Sequence, residues 1–164
     1  MKVKDVTLLG ILTAILYLVD QVLSFVPFLQ LSMLLIILFS RKMGTLKTSI
    51  IVIIYVILEY IGAGFDLLFF IFSVIGWLFV PTLTNFLFRK TKSVISIALQ
   101  GVLFSFLYSW IHIIPSCIII ESSIIDYLSM DIIFEISLAI SSFFSILLLY
   151  KPLEKVIDRF VWFC

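Results

Sequence analysis

From Leu67 to Phe88 the chain carries no charged residue, and similar apolar runs occupy most of its length. Such a run matches the ~20 residues with which a helix crosses the ~30 Å hydrocarbon core of a bilayer. Composition agrees with that reading. The 164 residues are 63% hydrophobic and 13% charged, well above the ~45–50% apolar share of soluble domains. A transmembrane barrel would need ~10-residue segments of alternating polarity, whereas LSMLLIILF and SIIVIIYVIL do not alternate. Backbone in hydrocarbon must satisfy its own hydrogen bonds. The expected fold class is therefore an all-α integral membrane protein.

Charged and Pro/Gly punctuation divides the runs into six expected spans, near 6–26, 28–40, 46–62, 67–88, 93–114 and 132–150, in a single membrane domain over 1–164. Six spans at ~20 residues each use about 120 residues, which leaves no room for a soluble catalytic or ATP-binding domain. The first run follows Lys2 and Lys4 and reaches Val26 without a small-x-small cleavage pattern, so it reads as a retained span rather than a signal peptide. The second run is the short one. Its rise of ~20 Å falls below the core thickness, and Pro27 with flanking residues is expected to complete the crossing.

The basic residues test this division. With the N-terminus inside, the inner segments hold Lys2, Lys4, Arg41, Lys42, Lys47, Arg89, Lys90, Lys92, Lys151, Lys155 and Arg159, which are all 11 of them. Lys and Arg accumulate on the cytoplasmic side of short-looped membrane proteins, so an N-in, C-in arrangement is expected and an odd number of spans is disfavoured. Among the acids, only Asp5, Glu154 and Asp158 fall inside. Asp20, Glu59, Asp66, Glu121, Asp126, Asp131 and Glu135 fall outside. The formal charge of +1 conceals +8 on one side and −7 on the other.

Little in the chain suggests bond-making chemistry. There is no phosphate-binding glycine loop, no Ser-His-Asp set and no His-x-Glu metal motif, and the basic residues lie opposite most of the acids. No enzyme, cofactor, metal or nucleic-acid partner is expected. Cys117 falls outside and Cys164 inside, which precludes a disulfide between them. His112, Cys117 and Glu121 are close in sequence, but Pro115 interrupts them. The tail 151–164 places Leu153, Val156, Ile157 and Phe160 at helical spacing against Lys155, Asp158 and Arg159, the pattern of an interfacial helix.

Polar and aromatic residues of the outer halves define a candidate binding region. Glu59, Tyr60, Phe65 and Asp66 surround the Gly62-Ala63-Gly64 turn, followed by Tyr108, Trp110 and His112, then Asp131 and Glu135. A carboxylate in an apolar span is costly without a partner and marks a candidate functional site. With no basic residue on that side, the partner is expected to be a hydroxyl, a bound cation, water or a proton. Pro81, preceded by Gly76 and Trp77, is expected to kink the fourth span near mid-membrane. Gly10 and Ala14 form a small-xxx-small pair in the first span, and Ser137, Ser141 and Ser145 form a strip in the last. Both fit close helix packing; for both, packing within the bundle is the plainer expectation.

These features together resemble the substrate-binding S components of energy-coupling factor (ECF) vitamin transporters: the size, six N-in, C-in spans, the small-residue pair in span one, and LTAILYLVDQVLSFVPFLQLSMLLIILFS running into a short second span. The family pair is usually Ala-xxx-Ala, whereas Gly10 and Ala14 stand here. The resemblance implies a bacterial plasma-membrane protein that captures a small water-soluble vitamin or related micronutrient from outside. It further implies docking through Gly10 and Ala14 onto a transmembrane coupling subunit driven by two cytoplasmic ATPases. The implied pocket involves Glu59, Asp66, Trp77, Tyr108, Trp110, His112 and Glu135. The acids and aromatics hint at a cationic or amine-bearing ring compound such as thiamine, a B6 vitamer or a queuosine precursor; some members of the family carry cobalamin. An MreD-type cell-shape scaffold is the alternative of similar size, which IGAGFDLLFF resembles loosely.

Overall fold

Charged residues and glycines of left-handed conformation mark where the helices end. The computed structural model describes residues 3–23, 25, 31–64, 66–119, 121 and 123–163, without the side chains of residues 63 and 160–163. The helices are α1 Val3–Leu23, α2 Ser32–Met43, α3 Thr45–Ala63, α4 Leu67–Phe86, α5 Val94–Ile111, α6 Ile113–Ile119 and α7 Ile124–Phe163. By length and composition α1, α3, α4, the α5–α6 pair and α7 are able to cross a membrane. Gly44 (φ 82°) ends α2 and Gly64 (φ 103°) ends α3, each donating its N–H to a carbonyl of the last turn, Ser40 at 3.0 Å and Tyr60 at 3.2 Å. A Cβ at either position would cost roughly 1–2 kcal/mol.

The second helix fills the centre of the bundle. Every residue from Ser32 to Ser40 is buried, as expected for a helix that is apolar all round. Its 12 residues rise only ~18 Å. It still runs between the two ends of the bundle. At one end Ser32 Oγ donates to Asp20 Oδ1 at 2.6 Å, and at the other Lys42 pairs with Glu154 and Asp158 at 3.1 and 2.7 Å. The helix ends at Met43 and not at the expected 40, because Arg41 and Lys42 form its last turn instead of following it. Arg41 donates to the carbonyls of Phe88 and Thr91, which holds this turn against the segment after α4. Pro27, expected to complete the crossing, lies outside the described residues, as do Phe65 and Cys164.

Two other boundaries differ from expectation. The fifth span, expected over 93–114, breaks at His112, whose N–H turns back to the Ser109 carbonyl at 2.9 Å. Pro115 follows in the first turn of α6, where its missing N–H removes a helical donor. The sixth span and the tail are one 40-residue helix, ~60 Å long. It begins earlier than 132 because Ser123 caps it: the Asp126 N–H donates to Ser123 Oγ at 3.1 Å, and that hydroxyl donates back to Asp126 Oδ2 at 2.6 Å. It continues through Pro152. The tail packs on the bundle, with Ile157 buried and Leu153 against the core.

Small residues set the closest contacts. Gly101 of α5 faces α7 so tightly that a Cβ would collide with Ile146, and Ser105 and Ser142 share a hydrogen bond of 2.8 Å across the same interface. Ser141 and Ser145 are buried within the bundle. Pro81 stands near the C-terminal end of α4, not at its middle. Its carbonyl accepts from Asn85 Nδ2 at 3.1 Å and Ser40 Oγ at 3.2 Å, while Asn85 also donates to Ser40 Oγ at 2.7 Å. A polar clamp between α2 and α4 thus occupies this turn.

Candidate ligand-binding site

Glu59 and Tyr60 lie in the last turns of α3, and Asp66 opens α4 by accepting the Phe69 N–H at 3.0 Å. That bond is an N-cap, worth about 1 kcal/mol, so Asp66 also has a local structural task. Opposite them, Tyr108 and His112 are four residues apart and share one face at the end of α5. These groups enclose a cavity of about 360 Å³ lined by Glu59, Tyr60, Asp66, Phe69, Ser73, Tyr108 and His112. The volume is near the lower end of the roughly 300–1,000 Å³ typical of small-molecule sites.

One wall is a directed chain of hydrogen bonds. His112 Nδ1 lies 2.8 Å from the Tyr108 carbonyl, which can only accept, so Nδ1 carries the proton. In the neutral imidazole Nε2 is then an acceptor. Ser73 Oγ lies 2.9 Å from it and donates, and Tyr60 Oη, 2.7 Å from Ser73, donates in turn to that hydroxyl.

A second wall is aromatic. Phe69 stacks on His112 with centroids 6.3 Å apart and an interplanar angle of 21°. Tyr108 lies 4.6 Å from His112 and 4.5 Å from Trp77, and Trp77 meets Tyr55 edge-on at 6.0 Å. Gly76 permits this ladder: a Cβ there would sit 2.9 Å from Tyr108 Cδ2. Trp77, 1% exposed, supports Tyr108 from below rather than lining the cavity.

The acidic side is unbalanced. Glu59 Oε2 is buried without a hydrogen-bond partner, and its charged neighbour is Asp20, another acid. None of the described lysines or arginines lines the cavity. An unpaired carboxylate beside stacked rings suits a ligand bearing a positive charge on or near a flat ring, which gains both ion pairing and a cation–π contact.

Of the seven expected residues, the structure brings Glu59, Asp66, Tyr108 and His112 to the cavity wall, with Trp77 behind them. Trp110 and Glu135 do not line it. Trp110 is 52% exposed and packs beside Phe106, because two residues from Tyr108 it points to the far side of α5. Glu135 is 4% exposed and its Oε1 lacks a partner. One turn before it on α7, Asp131 accepts a hydrogen bond from Ser109. Phe69 and Ser73 were not expected. They share a face of α4 with Trp77 at i, i+4 and i+8, and Ser73 is the lone hydroxyl in FFIFSVIGW. Among the described residues no group of three or more His, Cys, Asp or Glu could hold a metal ion.

The small-residue pair of α1 lies elsewhere on the surface. Gly10 and Ala14 are both exposed, and a Cβ built on Gly10 meets nothing within 4 Å. Packing within the bundle, the plainer expectation for this pair, is therefore not its role. Ile11, Ile15 and Leu18 are also exposed on this helix. Comparison with protein-family models, with curated proteins and with solved structures returned no match to this chain.

Proposed function

We propose that this chain is the substrate-binding S component of an ECF-type importer, a six-span protein of the bacterial plasma membrane with both termini in the cytoplasm. The observation that carries the reading is the cavity in which Glu59, Asp66, Tyr108 and His112 converge. The six-span count treats α2 as a crossing shielded from lipid by its neighbours, which its run from Asp20 to Glu154 supports. The N-in, C-in orientation rests on the 11 basic residues. With the basic ends inside, the cavity opens outward.

The ligand class is a small cationic or amine-bearing ring compound of thiamine or B6-vitamer size; a corrinoid exceeds the cavity. The exposed Gly10–Ala14 face supports docking onto a transmembrane coupling subunit, with two cytoplasmic ATPases supplying the energy. Mass spectrometry of ligand retained through purification, followed by titration with a vitamin panel, tests the binding role. Nanomolar affinity for one amine-bearing member is expected, and failure of every member to bind overturns the reading in favour of a scaffold. Docking has its own test. Gly10→Leu should abolish uptake while leaving ligand affinity and thermal stability unchanged, since Gly10 is exposed and a Cβ there meets nothing within 4 Å; normal uptake would remove the docking role.

A further inference from the structure

A second cavity, about 500 Å³, lies at the opposite end of the bundle, between the α2–α3 junction and the end of α4, and is lined by Arg41, Gly44, Thr45, Thr84, Asn85 and Arg89. We propose that it binds a phosphate group, carried either by a small soluble anion or by the headgroup of an anionic phospholipid. Three independent features point to this chemistry.

The first is charge. Two arginines line the cavity and no carboxylate among the described residues does. Arg41 holds the Phe88 and Thr91 carbonyls, which fixes its guanidinium without neutralising it, and neither arginine joins an ion pair among those formed by the described residues. A fixed, planar, uncompensated guanidinium is the side chain best suited to phosphate oxygens.

The second is the backbone. α3, 19 residues long, starts here with Gly44 as a cap that has no side chain to satisfy the first-turn N–H groups. Those donors and the positive end of the helix dipole favour an anion. With no Cβ, Gly44 leaves the approach open: an added Cβ would meet nothing within 4 Å. The third is an orphan. Thr84, fully buried and part of the cavity wall, has a hydroxyl with no hydrogen-bond partner, whereas native structures satisfy nearly all such groups. A phosphate oxygen would supply the missing acceptor.

The test uses the full chain purified in detergent, with two probes. Inorganic phosphate is titrated calorimetrically, and native mass spectrometry counts phosphatidylglycerol retained against phosphatidylcholine. Saturable phosphate binding identifies a soluble anion as ligand, and selective retention of one phosphatidylglycerol identifies a headgroup; either supports the site. Arg89→Gln should weaken the binding at least tenfold, whereas Lys90→Gln, the exposed neighbouring cation that does not line the cavity, should change it less than twofold. Thr84→Val should weaken binding about threefold yet raise the unfolding temperature of the empty protein, because it removes an unsatisfied buried hydroxyl. Absence of selective binding with both probes, or equal losses in Arg89→Gln and Lys90→Gln, overturns the proposal.

Discussion

The two ends of the bundle handle charge in opposite ways. At the basic end, Lys47 pairs with Asp5 at 2.6 Å, and Lys42 with Glu154 and Asp158, so α1 is tied to α3 and α2 to α7. At the acidic end, Asp20 and Asp131 accept serine hydroxyls and form no salt bridge among the described residues, Asp66 caps a helix, and Glu59 Oε2 is buried without a partner. Paired charge fastens helices together. Unpaired charge stores binding potential, because a buried carboxylate without a partner gains more from an arriving cation than one already satisfied. The same bundle therefore has a fastened end and a receptive end.

Replacing Glu59 breaks this contrast most directly. Glu59→Gln should weaken a cationic ligand at least tenfold, about 1.4 kcal/mol, while raising the stability of the empty protein; calorimetry and thermal unfolding read the two effects. An unchanged affinity would mean that the carboxylate is not the cation's partner. Ser73→Ala should follow at roughly threefold to tenfold, because it cuts the Tyr60–Ser73–His112 chain and removes the donor that holds the imidazole at Nε2. Equal affinity in that variant would leave the chain a purely structural feature. Glu135→Gln, outside the cavity, should change ligand affinity by less than twofold; a tenfold loss would extend the site to α7.

At the fastened end the effects are smaller and concern stability. Lys42→Met should cost about 1 kcal/mol in denaturant unfolding, the upper part of the range for partly exposed ion pairs, and leave ligand affinity unchanged. Desolvation works against the charged form of Lys42, yet its hydrogen bonds and charge interactions with Asp158 and Glu154 outweigh it and raise its pKa. A folded-state pKa above the unfolded value gives a contribution that is complete below the ordinary lysine range and lost as pH rises through the raised value. The difference between wild type and Lys42→Met should accordingly shrink in strong alkali; a constant difference would argue that lost packing, not charge, causes the loss.

Charge and glycine punctuation made the long helices legible. α3 and α4 begin within a residue of expectation, since Gly44 and Asp66 mark their starts chemically. The ends of α5 and α7 were harder to read. A turn at His112 depends on Pro115 removing a donor three residues later, and the extension of α7 depends on contacts: Tyr150 and Ile157 are buried on either side of Pro152, which anchors the helix on both sides of a residue that ordinarily interrupts one. Glu59, Asp66, Tyr108 and His112 stood out as polar groups in apolar surroundings. The place of Trp110 away from this cavity was legible too, because residues two apart on a helix, as Tyr108 and Trp110 are, do not share a face. Glu135 was not legible in that way: its place on α7 beside buried Leu138 and Ala139 marks it as inward-facing without saying which helices enclose it.

The burial of α2 also bears on how the molecule is made. A helix of 12 residues is too short to cross a bilayer as an independent segment, so its place depends on the neighbours that bury it. Synthesis delivers α1 first, and α3 and α4 later. α2 gains its full surroundings only when α3, α4 and finally α7 have arrived, which makes its burial a late step shared with the rest of the bundle. A defect in α4 should therefore misplace a segment synthesised before it.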